Sequence, residues 1–151
     1  MPKLYFKYGA MNSSKSANAL MVKFNYEEQG YRVALLKPSL DDRDGVDIVK
    51  SRIGLEQKCY VIDRTVNLLE WYRAHRDYQV MIVDEAQFLT PEQVEQLKDL
   101  AVDAIPVLCF GLKTDFQTKM FPASKRLFEL ADSLSEIKSV CRCGRKAEVN
   151  A

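Results

Sequence analysis

Histidine is almost absent from this chain: there is one, His75, in 151 residues. It falls at the end of a predicted surface helix, where a charge near the helix C-terminus explains it, and no chemistry is assigned to it. Charge of one sign is missing too. Lys and Arg number 22 against 21 Asp and Glu, so there is no global field to draw a nucleic acid or an anionic membrane, and any polyanion must be bound locally. No apolar run approaches the roughly 18 residues of a membrane span. With no charged-then-apolar leader at the start either, cytosol is the expected compartment. Cysteine is scarce, and two of the four, Cys59 and Cys109, sit inside apolar strand-like runs where a small buried thiol is the default. Only Cys141 and Cys143 lie close together, so no disulfide framework is expected. Internal repeats and low-complexity segments are also lacking, and the length fits one domain.

What is present is an alternation of short β-rich runs with amphipathic stretches, the pattern of an α/β domain whose mostly parallel sheet is flanked by helices on both faces. Strands are expected over Leu4 to Tyr8, Val33 to Lys37, Cys59 to Ile62, Val80 to Val83, Val107 to Phe110 and Leu134 to Val140. Helices are expected from Ser16 to Gln29, closed by Gly30 just past the end; from Thr65 to His75; from Pro91 to Leu100 behind Thr90 as N-cap; and from Ala123 to Leu130. Ser39 to Gly45 and Gly111 to Pro122 read as loops, and loops at strand C-termini are where open α/β sheets bind ligands. The order of the strands is not readable.

Between the first strand and first helix lies Gly9-Ala10-Met11-Asn12-Ser13-Ser14-Lys15-Ser16. In a P-loop of this kind backbone N–H groups converge on the phosphates, the lysine reaches the outer ones, and the hydroxyl that opens the helix helps to hold Mg²⁺. Ser14 stands where the pattern has glycine, and its Cβ crowds an approaching phosphate. A polar turn capped by Ser13 or Ser14 is the alternative for the loop alone. A second motif weighs against it: the apolar strand Val80 to Val83 ends in Asp84-Glu85. Asp84 is expected to hold Mg²⁺ from a strand beside the phosphate loop, and Glu85 to point toward the reacting group. A nucleoside triphosphate site follows.

The pieces resemble the thymidine kinase family of the cellular and bacterial type, which shares its core with RecA-like ATPases. Those pieces are the P-loop; Leu36-Lys37-Pro38 leading to Asp41, Asp42 and Arg43; Ser51-Arg52-Ile53-Gly54; Asp84-Glu85-Ala86-Gln87-Phe88; Gly111-Leu112 followed by Asp115-Phe116-Gln117 and Phe121-Pro122; and Cys141 to Cys143. The resemblance implies ATP-dependent phosphorylation of thymidine, and of deoxyuridine, at the 5′-hydroxyl. Glu85 is then the general base, with Lys15 and Arg43 balancing charge on the transferring phosphoryl group. Nucleotide-binding residues would be Gly9 to Ser16, Asp84 and Gln87. Met11, Phe88, Leu112, Phe116 and Phe121 would line the nucleoside pocket, and Ser16, Asp84 and Asp41 would attend Mg²⁺. A homotetramer and feedback inhibition by dTTP are implied as well, with no nucleic acid or membrane partner.

The resemblance implies that residues 1–140 are the kinase domain and 141–151 the start of a shortened zinc-ribbon-like lid. Cys141 and Cys143 are two thiolates separated by one residue, and four ligands are the rule for structural zinc, so no zinc is expected in the chain as written. A P-loop ATPase, or a nucleotide-gated binding module without kinase activity, stands as the alternative. Nucleoside-independent ATP hydrolysis would favour the ATPase.

Overall fold

A computed structural model describes residues 3–9, 15–39, 46–50, 54–115 and 117–137. Among these residues seven strands form one sheet in the order β3-β4-β2-β5-β6-β1-β7. They are β1 (Leu4–Gly9), β2 (Val33–Pro38), β3 (Val46–Lys50), β4 (Glu56–Ile62), β5 (Val80–Val83), β6 (Val107–Leu112) and β7 (Ser133–Glu136). All neighbours run parallel except β3 and β4, which form an antiparallel hairpin at one edge. The expected mostly parallel α/β sheet is therefore found, with one strand more than the sequence suggested.

Among the described residues four helices cover it: α1 (Lys15–Glu28), α2 (Leu68–Arg73), α3 (Pro91–Asp103) and α4 (Pro122–Leu130). Strand alternation sorts the core into two layers. Val80 and Ile82 of β5 join Ala19 and Leu20 of α1 on one face. Met81 and Val83 face the other way, toward Leu68, Val94, Leu97 and Leu127 of α2, α3 and α4. Every residue of β5 is thus buried, which is why it reads as a continuous apolar run.

The helix ends explain where expected and observed boundaries differ. Gly30 takes φ +92°, donating its N–H to Glu27 while the Tyr31 N–H reaches Tyr26, a paired closure of α1 that a Cβ would strain. Helix α2 starts three residues later than expected, because Asn67 caps the Leu69 and Glu70 N–H groups and Asp63 holds Thr65 in a turn. Thr90 and Gln93 form the reciprocal cap of α3, and the Gln93 amide also donates to the Asp63 and Val66 carbonyls. Among the described residues no helix is long and apolar enough to cross a membrane.

The strand order, which the sequence leaves open, places β6 between β5 and β1, paired with both.

Candidate functional site

Asp84 leaves the C-terminal end of β5 still held by the sheet, its N–H donating to the Leu36 carbonyl of β2 at 2.9 Å. Its side chain is 2% exposed. Oδ2 accepts the Ser16 hydroxyl at 2.9 Å, which ties the first turn of α1 to the tip of β5 across the intervening strand. Oδ1 is buried with no hydrogen-bond partner among the described residues. An anionic oxygen left in that state is costly unless something cationic meets it. Burial pushes the Asp84 carboxyl above its usual range, while the Ser16 hydroxyl, the Glu85 amide and the charges of Lys15 and Lys37 pull it back.

Glu85 has φ 52° and ψ 41°, the left-handed region. For a residue with a Cβ this costs on the order of 1–3 kcal/mol and persists only where the surroundings impose it. Here the chain turns at once from β5 into a single 3-10 turn, Ala86–Phe88. Half-buried, Glu85 also titrates high, first through desolvation and then through the neighbouring Asp84 charge, with Lys37 and Lys15 opposing. Lys37 was given no role in the sequence reading. The register pairs Leu36 with Val83, so the next residue on β2, Lys37, comes level with Asp84.

Gln87 is buried, and its side-chain carbonyl accepts the Leu112 N–H at 3.1 Å. Ser124, fully buried in the first turn of α4, donates its hydroxyl to the Leu112 carbonyl. Gly111 makes room for this junction, since a Cβ there would stand 2.7 Å from Gln87 Oε1. Phe88 and Phe121 meet edge to face, with ring centroids 5.8 Å apart. The Gly111 to Pro122 segment is less irregular than expected. Asp115 Oδ1 accepts the Gln117 and Lys119 N–H groups, and Thr114 bridges Met120 in an antiparallel pair.

Gly9 ends β1 opposite Leu112, and Lys15 opens α1. Ala10, Met11, Asn12, Ser13, Ser14, Asp41, Arg43, Phe116, Cys141 and Cys143 lie outside the described residues. Among those described, no group of three or more His, Cys, Asp or Glu side chains is gathered to hold a metal ion. A cavity of about 650 Å³, lined by Lys23, Arg32, Lys58 and Tyr78 among others, opens at the N-terminal ends of β2 and β4 and contains none of the site residues.

A family model described as thymidine kinase matches residues 2–151. The chain belongs to the thymidine kinase family. It is 46% identical to the thymidine kinase of Enterobacteria phage T4, over 100% of this chain and 80% of that one. With the thymidine kinase of Chromobacterium violaceum the identity is also 46%, over 99% and 81%. For Haemophilus influenzae it is 45%, over 97% and 78%. Among solved structures, Bacteroides Pif1 bound to ssDNA superposes with a TM-score of 0.47 at 12% identity, covering 93% of this chain and 39% of that one, too slight a likeness to argue from.

In this member of the thymidine kinase family the described site thus has two poles. One is acidic: Asp84, Glu85 and Ser16, with Lys15 and Lys37 close enough to shift both carboxylates. The other is apolar, formed by the rings of Phe88 and Phe121, and Gln87, next to Phe88 in the chain, accepts the Leu112 N–H. The 3-10 turn is the piece of chain that joins them. Ser124 carries no local sequence signal for its bond to Leu112, since it sits inside a helix among ordinary core positions.

Proposed function

We propose that this chain transfers the γ-phosphoryl group of ATP to the 5′-hydroxyl of thymidine, and of deoxyuridine, giving the nucleoside monophosphate and ADP. The observation that carries this reading is the meeting of Ser16 with Asp84 at 2.9 Å beside Glu85, in a chain of this family.

Glu85 is assigned the general base. Desolvation and the Asp84 charge raise its proton affinity, which brings a carboxylate closer to what a neutral-pH base requires. It accepts the 5′-hydroxyl proton as the oxygen bonds to phosphorus, so no free alkoxide forms. Its αL backbone fixes the direction in which the carboxylate leaves the strand. Lys15, with Arg43 by resemblance, balances the charge spread over the transferring oxygens. Lys37 joins them as a cation facing the carboxylate pair.

Asp84 and Ser16 are the residues that would hold Mg²⁺. Their chemistry fits, since both are hard oxygen donors and Asp84 Oδ1 is buried without a partner among the described residues. When bound, the ion would neutralise phosphate charge. Phe88 and Phe121, with Met11, Leu112 and Phe116 by resemblance, offer the pyrimidine an apolar wall.

The resemblance further implies a homotetramer. Met21 and Phe24, one turn apart on α1, are 54% and 60% exposed, and with Leu55 they line a cleft of about 240 Å³. Such an apolar patch supports contact between copies.

The test is ATP consumption with Mg²⁺, with and without thymidine, reading the nucleoside product by chromatography beside a Glu85→Gln control. Thymidine-dependent monophosphate formation that the control loses supports the proposal. ATP loss without a phosphorylated nucleoside overturns it in favour of an ATPase.

A further inference from the structure

Two residues with a Cβ take a positive φ among those described: Thr118, in an exposed turn, and Glu85, at the tip of β5. Such a backbone persists only where its surroundings impose it. At Glu85 the side chain gives no help, since it makes no cap bond within the 3-10 turn that it opens. The constraint comes from the neighbours on either side. Upstream, the Asp84 N–H donates to the Leu36 carbonyl of β2 at 2.9 Å. Downstream, Ala86 and Gln87 are buried, and the Gln87 side-chain carbonyl accepts the Leu112 N–H at 3.1 Å.

The sheet leaves that N–H to Gln87. Strand β5 stops at Val83, opposite Cys109, while β6 runs on through Phe110 and Gly111 to Leu112. Past Cys109 no residue of β5 is paired with β6, and a backbone N–H withdrawn from water needs an acceptor. Gln87 supplies it, so the turn that follows the carboxylates is fastened to the extension of β6. Leu112 is a firm anchor: it is paired with Gly9 of β1, and its carbonyl accepts the buried Ser124 hydroxyl of α4. Gly111 lets the turn come this close, because a Cβ there would crowd the Gln87 and Ala86 backbone nitrogens.

We infer that Gln87 is a positioning residue: through the Leu112 N–H it holds Glu85 in its left-handed backbone, and so it governs the rate of phosphoryl transfer without governing ATP affinity. This rests on the proposed kinase function, with Glu85 as general base. The backbone angles of a residue decide where its Cβ points relative to the strand behind it. Freed from Leu112, the turn lets Glu85 fall back to a negative φ, and the carboxylate leaves the strand in another direction. Asp84 and Ser16 keep their places, because their mutual bond and the bond from the Asp84 N–H to Leu36 lie upstream of the change. A general base works only within hydrogen-bond reach of the proton it takes, and a misplacement of about 1 Å costs up to about 10²-fold in rate.

The experiment measures kcat with thymidine, and the Kd for ATP by calorimetry, in the full chain, Gln87→Met, Glu85→Gln and the double variant. Methionine keeps the length of the side chain and removes the acceptor. In Gln87→Met kcat should fall about ten- to hundredfold while the Kd for ATP stays within about twofold of the parent. A merely structural loosening would weaken ATP binding as well. In the Glu85→Gln background, Gln87→Met should lower the residual kcat by no more than about twofold, because the group that it positions is already gone. An unchanged kcat, an ATP affinity that falls as far as kcat does, or an undiminished effect in the Glu85→Gln background overturns the inference. If Gln87→Met does not fold, Gln87→Asn keeps the amide on a shorter stem and is read in its place: a lower kcat with ATP affinity kept supports the inference, and a parental kcat overturns it. A parent chain that phosphorylates neither thymidine nor deoxyuridine refutes the proposed function instead, and that failure is seen before any variant is compared.

Discussion

Adding a single methyl group at Gly111 should damage the fold at the point where the two poles of the site meet. Gly111 does not have a positive φ, so alanine suits its backbone and any cost must come from contacts. A Cβ there would lie 2.7 Å from Gln87 Oε1, 3.1 Å from Gln87 N and 3.2 Å from Ala86 N. The first of these is a side-chain atom that could swing away, but only by giving up its hydrogen bond to the Leu112 N–H, worth about 1 kcal/mol net. The other two are backbone atoms of the 3-10 turn and can yield only if the turn moves, at the roughly 1–3 kcal/mol typical of an overpacked core. Together Gly111→Ala should cost about 2–4 kcal/mol, or roughly 5–15 °C in Tm for a domain of this size. Denaturant unfolding of Gly111→Ala, Gln87→Ala and the double variant measures it. Because truncating Gln87 removes the closest contact and leaves the other two, the double variant should lose less than the sum of the single losses by about 1 kcal/mol. A Gly111→Ala protein within about 0.5 kcal/mol of the parent would refute the packing argument.

Glu85→Gln should abolish most turnover and yet stabilise the ligand-free protein at neutral pH. The folded carboxyl titrates above its unfolded range, so its stabilising contribution is complete below that range and is lost as pH rises through the folded value. The Tm advantage of Glu85→Gln should therefore be present at pH 7 and shrink toward pH 4, and an advantage that grows on acidification would be fatal to this reading. Gln93→Leu removes the partner of the Thr90 N–H and of the Asp63 and Val66 carbonyls, and should cost about 2–4 kcal/mol in chemical denaturation, against about 1 kcal/mol for Thr90→Ala. Equal losses for the two would argue that Gln93 acts only as a cap. Phe24→Glu should lower the oligomeric state seen by light scattering while leaving the far-ultraviolet circular dichroism intact, and an unchanged mass would remove α1 as a contact between copies.

The alternation of apolar runs with amphipathic stretches revealed most of the sheet, because β5 and β6 are buried on both faces, in every residue except Leu112 at the end of β6. Strand β3 escaped notice. Its run Val46 to Lys50 follows the charged loop stretch, has Asp47 as its second residue and ends in a lysine, and its stability comes from pairing with β4 rather than from a local apolar signature. The position of β6 between β5 and β1 could not be read, since parallel neighbours leave no turn motif between them. Asp84 and Glu85 stood out as an acidic pair ending an apolar strand. That Glu85 adopts αL did not, because only glycine announces such a backbone by its identity. Lys37 and Ser124 were hidden for a related reason: their contacts are set by register and by helix packing, which are tertiary facts.

Strand β1 is near the beginning of the chain, yet its two neighbours, β6 and β7, begin only at Val107 and Ser133. On a ribosome adding about 5–20 residues per second, β1 waits roughly 5–20 s before its first partner exists. Strands β2, β4 and β5 can pair meanwhile, since all three have already emerged. Strand β1 is therefore among the last parts of the sheet to be fixed, although it is the first strand to be made. Until then Leu4 and Phe6, both fully buried in the finished protein, are exposed to chaperones and to other unfinished chains.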